Sequence, residues 1–453
     1  MTGVVTVPER PTPSAPRAYR FPVFERRTLS NGMHLVVASV HKLPVATILL
    51  VVDAGAVTEP PGQEGVANLT ARALLEGTAR RSGIELAERF ELLGATVESG
   101  ADWDSTTVAM NVLSNRLPQA FELFAEVLRE PGFPEREIAR LRAERLAEIL
   151  QLRAEPRGLA DEMFDAFVYD ESSRYSRPEH GSEKSVEALS VERVQTFHAL
   201  RYQPGAMTLI VAGDVTVDVA ARLAEDALGD WTRGAPPPTR TDDRPRSTTR
   251  RVHIVGKADA PQSELRVGHV GLPRAHPDYF PALVMNSVLG GLFSSRINLN
   301  LREVHAYTYG AFSSFDWRRG AGPFVVSTAV KSDVTVPATR EVLSEIERMR
   351  DSEITPDELS LATSYLDGVF PIRYETASAI ARALGGMVVY GLPEAYFDTY
   401  RQNIRAVTRA DVHRVAREHL LPDRLQIVVV GDPNVVRKPL EEAALGDVAL
   451  HEG

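Results

Sequence analysis

Histidine, the side chain best suited to hold a metal or move a proton near neutral pH, occurs eleven times in this chain, and no two copies stand four residues apart. His413 and His419 are six apart, on different faces of a helix. Cysteine is absent, which removes thiolate ligands, thiol nucleophiles and disulfides together. Glu144 and Glu148 do stand at i, i+4, and among Arg142 and Arg145 they read as a solvated or partner-facing acidic stripe on a helix. The glycine pair of G-G-L-F-S-S, starting at Gly290, lacks both the lysine of a phosphate loop and the spacing of a dinucleotide turn. Beyond it come Arg302 and Tyr309, and a guanidinium fork with a phenol can hold a peptide carbonyl and stabilise an oxyanion. On spacing alone the plainer reading pairs Arg302 with Glu303 and makes Tyr309 an ordinary strand residue. No nucleophile, metal or cofactor motif of a free-standing enzyme emerges.

The elements that must position these residues fall into two halves. A chain of 453 residues is too long for one ordinary core, and 43% hydrophobic with 25% charged residues is normal for folded proteins. Three consecutive prolines and a polar stretch without periodicity mark Gly234–Arg251 as a linker. On either side the sequence repeats itself. S-V-E-R-V-Q-T-F-H-A-L-R-Y-Q-P-G-A-M-T-L-I-V-A-G-D-V from Ser190 aligns without a gap on T-R-A-D-V-H-R-V-A-R-E-H-L-L-P-D-R-L-Q-I-V-V-V-G-D-P from Thr408. Each copy predicts an N-capped helix, a closing proline (Pro204, Pro422), a strand and a Gly-Asp turn (Gly213-Asp214, Gly431-Asp432). The fold class expected is α+β: two homologous domains, each a mainly antiparallel sheet covered by helices on one face. The expected boundaries are a flexible N-terminal arm over 1–22, a first domain over 23–233, the linker over 234–251, a second domain over 252–441 and a C-terminal tail over 442–453. A strand is expected near Tyr307–Phe315.

Residues Gly65–Thr78 read G-V-A-N-L-T-A-R-A-L-L-E-G-T. With the upstream S-N-G-M-H-L-V-V and Asp53-Ala-Gly, this resembles the zinc peptidase family of insulin-degrading enzyme, pitrilysin and the mitochondrial processing peptidase (family M16). That family carries G-x-A-H-x-x-E-H-x-x-F-x-G-T here, and the frame matches at Gly65, Ala67, Gly77 and Thr78. The resemblance spans about Phe24 to Pro433. In active members the two histidines bind zinc and the glutamate is the general base; here those positions hold Asn68, Ala71 and Arg72. The family's third ligand, a glutamate on a later helix, corresponds to Leu141. The resemblance therefore implies a degenerate motif, with no metal or cofactor in this chain. The segment Gly290–Phe312 is similar to the family's second-domain element, in which an arginine and a tyrosine reach the substrate at the zinc site. It implies a catalytic role in trans for Arg302 and Tyr309.

By this resemblance the chain is a non-catalytic subunit, inactive by itself, that pairs with a homologous subunit carrying H-x-x-E-H and its zinc, and encloses unfolded or short peptides in a chamber. The alternative is a purely structural scaffold subunit without a role in proteolysis. A net charge of −10, without long Lys/Arg runs, excludes nucleic acid as a partner. No apolar stretch reaches the length of a membrane span or signal segment, and the cytoplasm is the expected location.

Overall fold

The computed structural model describes residues 18–232 and 234–452. In the first half the strands are β1 (Phe24–Thr28), β2 (His34–Ser39), β3 (Val45–Val52), β4 (Thr96–Ala101), β5 (Thr106–Leu113) and β6 (Met207–Gly213). Its helices are α1 (Val66–Ala73), α2 (Gly83–Leu92), α3 (Leu117–Arg129), α4 (Glu135–Ala154), α5 (Pro156–Val168), α6 (Glu183–Glu187), α7 (Val191–Arg201) and α8 (Val217–Leu228). The second half supplies β7 (Arg251–Gly256), β8 (Gln262–Val270), β9 (Ala311–Phe315), β10 (Pro323–Lys331), β11 (Gln426–Gly431) and β12 (Asp447–His451). With them come α9 (Tyr279–Asn286), α10 (Arg296–Asn298), α11 (Thr335–Asp351), α12 (Pro356–Arg373), α13 (Ala377–Val389), α14 (Tyr396–Ala406), α15 (Arg409–His419) and α16 (Pro433–Glu442).

Among the described residues each half forms a mixed six-stranded sheet, ordered β1-β2-β6-β3-β5-β4 and β12-β7-β11-β8-β10-β9. The duplication read in the sequence occupies equivalent places. Ser190 and Thr408 cap α7 and α15 with their side chains, and the strands that follow, β6 and β11, lie inside their sheets. Leu49 of β3 stands between Ile210 and Ala109, as Leu265 of β8 stands between Val429 and Thr328. Parallel pairing is confined to β2 with β6 in the first sheet, and to β7 with β11 and β12 in the second.

Three boundaries differ from the sequence expectation. The C-terminal tail over 442–453 instead contributes β12, which pairs with β7 at the edge that β1 occupies in the other sheet. Of the expected flexible arm, residues 1–17 lie outside the described residues; Phe21 is buried and stacks on Phe397 of the second domain at 4.0 Å. The linker is irregular but tied down, because Asp170 N–H donates to the Arg244 carbonyl and Arg246 N–H to the Val168 carbonyl, both at 2.9 Å.

Helices cover both faces of each sheet, not one, and the second cover is exchanged between halves. α13 of the second half lies across β3 and β6 of the first sheet, and α5 of the first half lies across β8 and β11 of the second. This is why β3 (VATILLVV) and β11 (QIVVVG) are almost wholly buried: a strand with an apolar layer on each side has no solvent face to fill with polar residues. The closeness is visible at Gly385 of α13, where an added Cβ would come within 3.2 Å of Leu49 and 3.4 Å of Val51.

Candidate functional site

α1 starts at Gly65, whose φ of 97° lies in the left-handed region, and a Cβ there would stand 2.8 Å from the His180 carbonyl oxygen. The N–H groups of Gly65 and Ala67 donate to Oε1 of Glu59 at 3.0 and 2.9 Å, and its Oε2 accepts from Arg174 at 2.6 Å. That carboxyl is wholly enclosed: burial pushes it up to about 7, against the pull of Arg174 and the two amides. At the other end, Gly77 has φ 130°, and Thr78 Oγ1 donates to Glu126 at 2.6 Å while accepting from the N–H groups of Arg80 and Arg81. Ala67 and Leu74 are core residues. Gly65, Ala67, Gly77 and Thr78, which match the family frame, thus each have a backbone or packing task.

The three positions between them do something else. Ala71 is buried, Asn68 half-buried, and Arg72 reaches α4, where Nη2 lies 2.9 Å from Glu144 and Nη1 3.2 Å from Glu148. The expected acidic stripe is therefore turned onto α1, each carboxylate shared between Arg72 and an arginine of its own helix, Arg140 at 2.5 Å and Arg145 at 3.2 Å. Leu141, at the position of the third ligand, is part of the first domain's core. A zinc ion does not fit this set. Ala71 and Leu141 offer no lone pair, and a guanidinium repels a dication a few ångströms away.

In the second half the chain from Ser287 to Val304 is wound partly as π-helix, a geometry with an extra residue per turn that redirects side chains. Gly290 is pressed onto β9, where a Cβ would meet the Ser313 backbone nitrogen at 2.5 Å. Arg302 sits in the second π-helical stretch, with its guanidinium 4.6 Å above the Phe293 ring and Nη1 3.3 Å from Glu303. Nη1 is buried and makes no hydrogen bond. Residues 305–310 are irregular, contrary to the strand expected from Tyr307. Ala306 takes a φ of 53°, Thr308 Oγ1 bonds with the Gly310 backbone and with Thr328, and β9 begins only at Ala311. Tyr309 projects from this loop and is 95% exposed. No hydrogen bond or ring contact joins Arg302 to Tyr309 among the described residues; they share one element without touching.

Sequence reasoning missed Glu59 and Arg174, which hold the start of α1 from 115 positions apart and leave no local signal. It also missed a cluster of His276, Asp278 and His419, whose ligand atoms lie within 4.8 Å of one another. A search for i, i+4 histidine pairs cannot find groups brought together by tertiary packing. Here Asp278 is engaged by Arg414 at 2.6 Å and His419 at 2.8 Å, so a guanidinium already takes the carboxylate.

Comparison with known proteins agrees with this fold. Residues 35–175 match the family described as insulinase (peptidase family M16), and residues 188–366 match the family described as peptidase M16 inactive domain. A protein of Mycobacterium tuberculosis described as an uncharacterized zinc protease is 27% identical over 429 residues, covering 93% of this chain and 96% of the relative. A protein of Streptomyces coelicolor with the same description is 23% identical, covering 90% and 89%. Among solved structures, a peptidase M16 inactive domain from Pseudomonas fluorescens superimposes with a TM-score of 0.85 at 25% identity, covering 90% of this chain and 98% of that one. A protease from Helicobacter pylori gives 0.83 at 21% identity, covering 91% and 100%, which shows the shared fold.

Proposed function

The chain belongs to peptidase family M16, and on that premise we propose that it is the non-catalytic subunit of a two-chain zinc peptidase, inactive alone and completed by a homologous subunit that carries H-x-x-E-H and the metal. In that pair Arg302 and Tyr309 contact the bound peptide, and substrates are unfolded or short peptides small enough to enter a chamber between the two chains.

The observation that carries this reading is the unspent chemistry of the Gly290–Phe312 element. Arg302 is held by one ion pair of 3.3 Å to the exposed Glu303 and by the Phe293 ring, which leaves most of its donors for a ligand, and a phenol held almost fully in water gains nothing for the fold. Phe293, Val304 and Phe312 of the same element are also exposed, an apolar setting suited to a peptide or a facing subunit. The metal helix is meanwhile committed elsewhere, since Arg72 holds α1 to α4 through Glu144 and Glu148. This subunit has structure where the metal would be, and lightly engaged donors where the substrate would be.

The test is reconstitution with the zinc-bearing homologue. The expected result is negligible peptide hydrolysis by either chain alone, zinc content confined to the homologue, and hydrolysis when the two are mixed. About one zinc per chain surviving dialysis of this protein, or full activity of the homologue without it, overturns the reading; an assembled pair with no dependence on Arg302 or Tyr309 leaves a scaffold role.

A further inference from the structure

Apart from α1 and the Gly290–Phe312 element, the second domain holds a buried cation with no anion beside it among the described residues. Arg274 lies in the turn between β8 and α9, its N–H fixed to the Arg318 carbonyl at 2.8 Å, and it is 8% exposed. The other buried arginines of the second domain each have a carboxylate, Arg266 with Asp161 at 2.6 Å, Arg318 with Asp165 at 3.3 Å and Arg296 with Glu358 at 2.6 Å, and Arg201 of the first domain, equally buried, is met by the Thr58 and Pro237 carbonyls at 3.0 and 2.9 Å. Arg274 has no carboxylate within 4 Å among the described residues. Its guanidinium carbon stands 3.6 Å from the centroid of the Tyr279 ring and 5.0 Å from that of Tyr396, and Nη2 donates to the Tyr396 hydroxyl at 2.5 Å. Aromatic faces offset part of the cost of burying such a charge, but they leave the other donors of the fork unused.

Those donors border a cavity of about 160 Å³ between α9 and the helices α12, α13 and α14. Tyr400 lines it too; that side chain is 3% exposed, and its hydroxyl has no hydrogen-bond partner. Burial pushes the Tyr400 phenol well above its ordinary range, so it stays a protonated donor. Arg373 adds a second positive charge at the rim, also without a carboxylate within 4 Å among the described residues, on a protein whose net charge is −10. The site therefore combines a planar cationic fork, an unsatisfied O–H and aromatic walls.

The geometry points to a binding site for a carboxylate attached to an aromatic body of benzoate size. A fork of parallel N–H donors matches the two oxygens of a carboxylate, and the Tyr279 and Tyr396 rings suit a flat apolar body. A cavity of roughly 150 Å³ is enough to hold benzene, so it takes the ring and leaves whatever the acid carries beyond it at the open rim. Two sources offer this chemistry, a free aromatic acid and the C-terminus of a peptide ending in phenylalanine or tyrosine. The inference does not rest on the subunit reading above, because it needs neither a partner chain nor proteolysis.

The experiment is calorimetric titration of the full chain with benzoate, with N-acetyl-phenylalanine and with the amide of each. Binding by an acid at least tenfold tighter than by its amide supports the site, and the better acid identifies the source. Two variants keep the test meaningful if substitution at Arg274 harms folding. Tyr400→Phe removes only the unsatisfied hydroxyl and should weaken binding severalfold. Gly386→Leu projects from α13 at a place where a Cβ meets nothing within 4 Å, and should fill the cavity and abolish binding with the fold retained. Equal affinity for acid and amide, no heat with either acid at concentrations on the order of 10 mM, or binding indifferent to both variants overturns the inference.

Discussion

Arg302 and Tyr309 differ in what they cost the isolated chain, and the difference predicts how each variant behaves. Replacing Arg302 with alanine removes a charge that stacks on Phe293 and approaches Glu303, so a small loss of local order accompanies the loss of function. In the assembled pair, Arg302→Ala should leave the partner's zinc in place and lower turnover by about tenfold to a thousandfold, the range for one lost carbonyl or oxyanion donor. Tyr309→Phe deletes a hydroxyl that contacts water, so stability should stay unchanged while turnover falls. Steady-state kinetics beside metal analysis separate the two effects. A second prediction concerns Glu179, whose carboxyl feels Asp102, Asp165 and Asp316 as well as Arg318, while His180 Nε2, 4.0 Å away, is kept neutral near pH 7 because burial pushes that imidazole down to about 4. Burial pushes its carboxyl up to about 8, only partly opposed by Arg318. A carboxyl raised in the folded state binds more protons there than when unfolded, so its contribution is complete below the ordinary glutamate range and is lost as pH rises through about 8. Thermal unfolding should show Tm falling between pH 6 and 9 by on the order of a few degrees, and Glu179→Gln should flatten that slope.

At the scale of elements, the exchanged helices explain both what the sequence disclosed and what it hid. The strands were legible because β3 and β11 are continuous apolar runs, and the α7–β6 and α15–β11 repeats because a helix cap, a proline and a Gly-Asp turn recur at one spacing. The run Val45–Val52 also carried the news that both faces of the sheet are covered, since alternation is what a one-sided sheet would require. What no local pattern could convey is which helix supplies the second cover, because α13 and β3 meet from opposite halves. The motif helix was legible through Gly65 and Gly77, whose positive φ explains why those glycines stand there. The Arg72 link to Glu144 and Glu148 was not, because the facing sides of α1 and α4 are set by packing. β12 was missed because its exposed, mixed composition gives an edge strand little periodicity. One substitution tests the exchange directly. Gly385→Leu should press α13 off Leu49 and Val51 and cost about 1–3 kcal/mol by overpacking, measured by urea unfolding, although Gly385 lies in the half opposite the sheet it disturbs.

For the molecule as a whole, reciprocal covering makes the two halves one cooperative body despite the linker between them. Tyr169 donates to the Ala321 carbonyl at 2.8 Å, Arg319 pairs with Asp53 at 2.7 Å, and Phe21 reaches Phe397, so contacts cross the boundary in both directions. Proteolytic cleavage within 234–243 should therefore leave the fragments associated, eluting from size exclusion as one species of unchanged size and unfolding in a single transition. Two separable fragments, each with its own transition, would show that the halves are independent domains. Among the described residues no helix is long and apolar enough to cross a membrane.

The exchange also sets a timetable for synthesis. The ribosome releases β6, the last strand of the first sheet, with Gly213, but the helix that shields the far face of that sheet does not exist until Ala377–Val389 has been made. At about 5–20 residues per second, the surface formed by Leu49, Val51 and Ile210 stays bare for roughly ten to thirty-five seconds on the nascent chain. That interval is long compared with the collapse of a domain, so a wet, sticky sheet precedes every finished molecule. Cells that make this protein in quantity should depend on a chaperone that holds apolar surfaces during translation, and its depletion should send ribosome-bound chains shorter than about 390 residues into aggregates before full-length protein is affected.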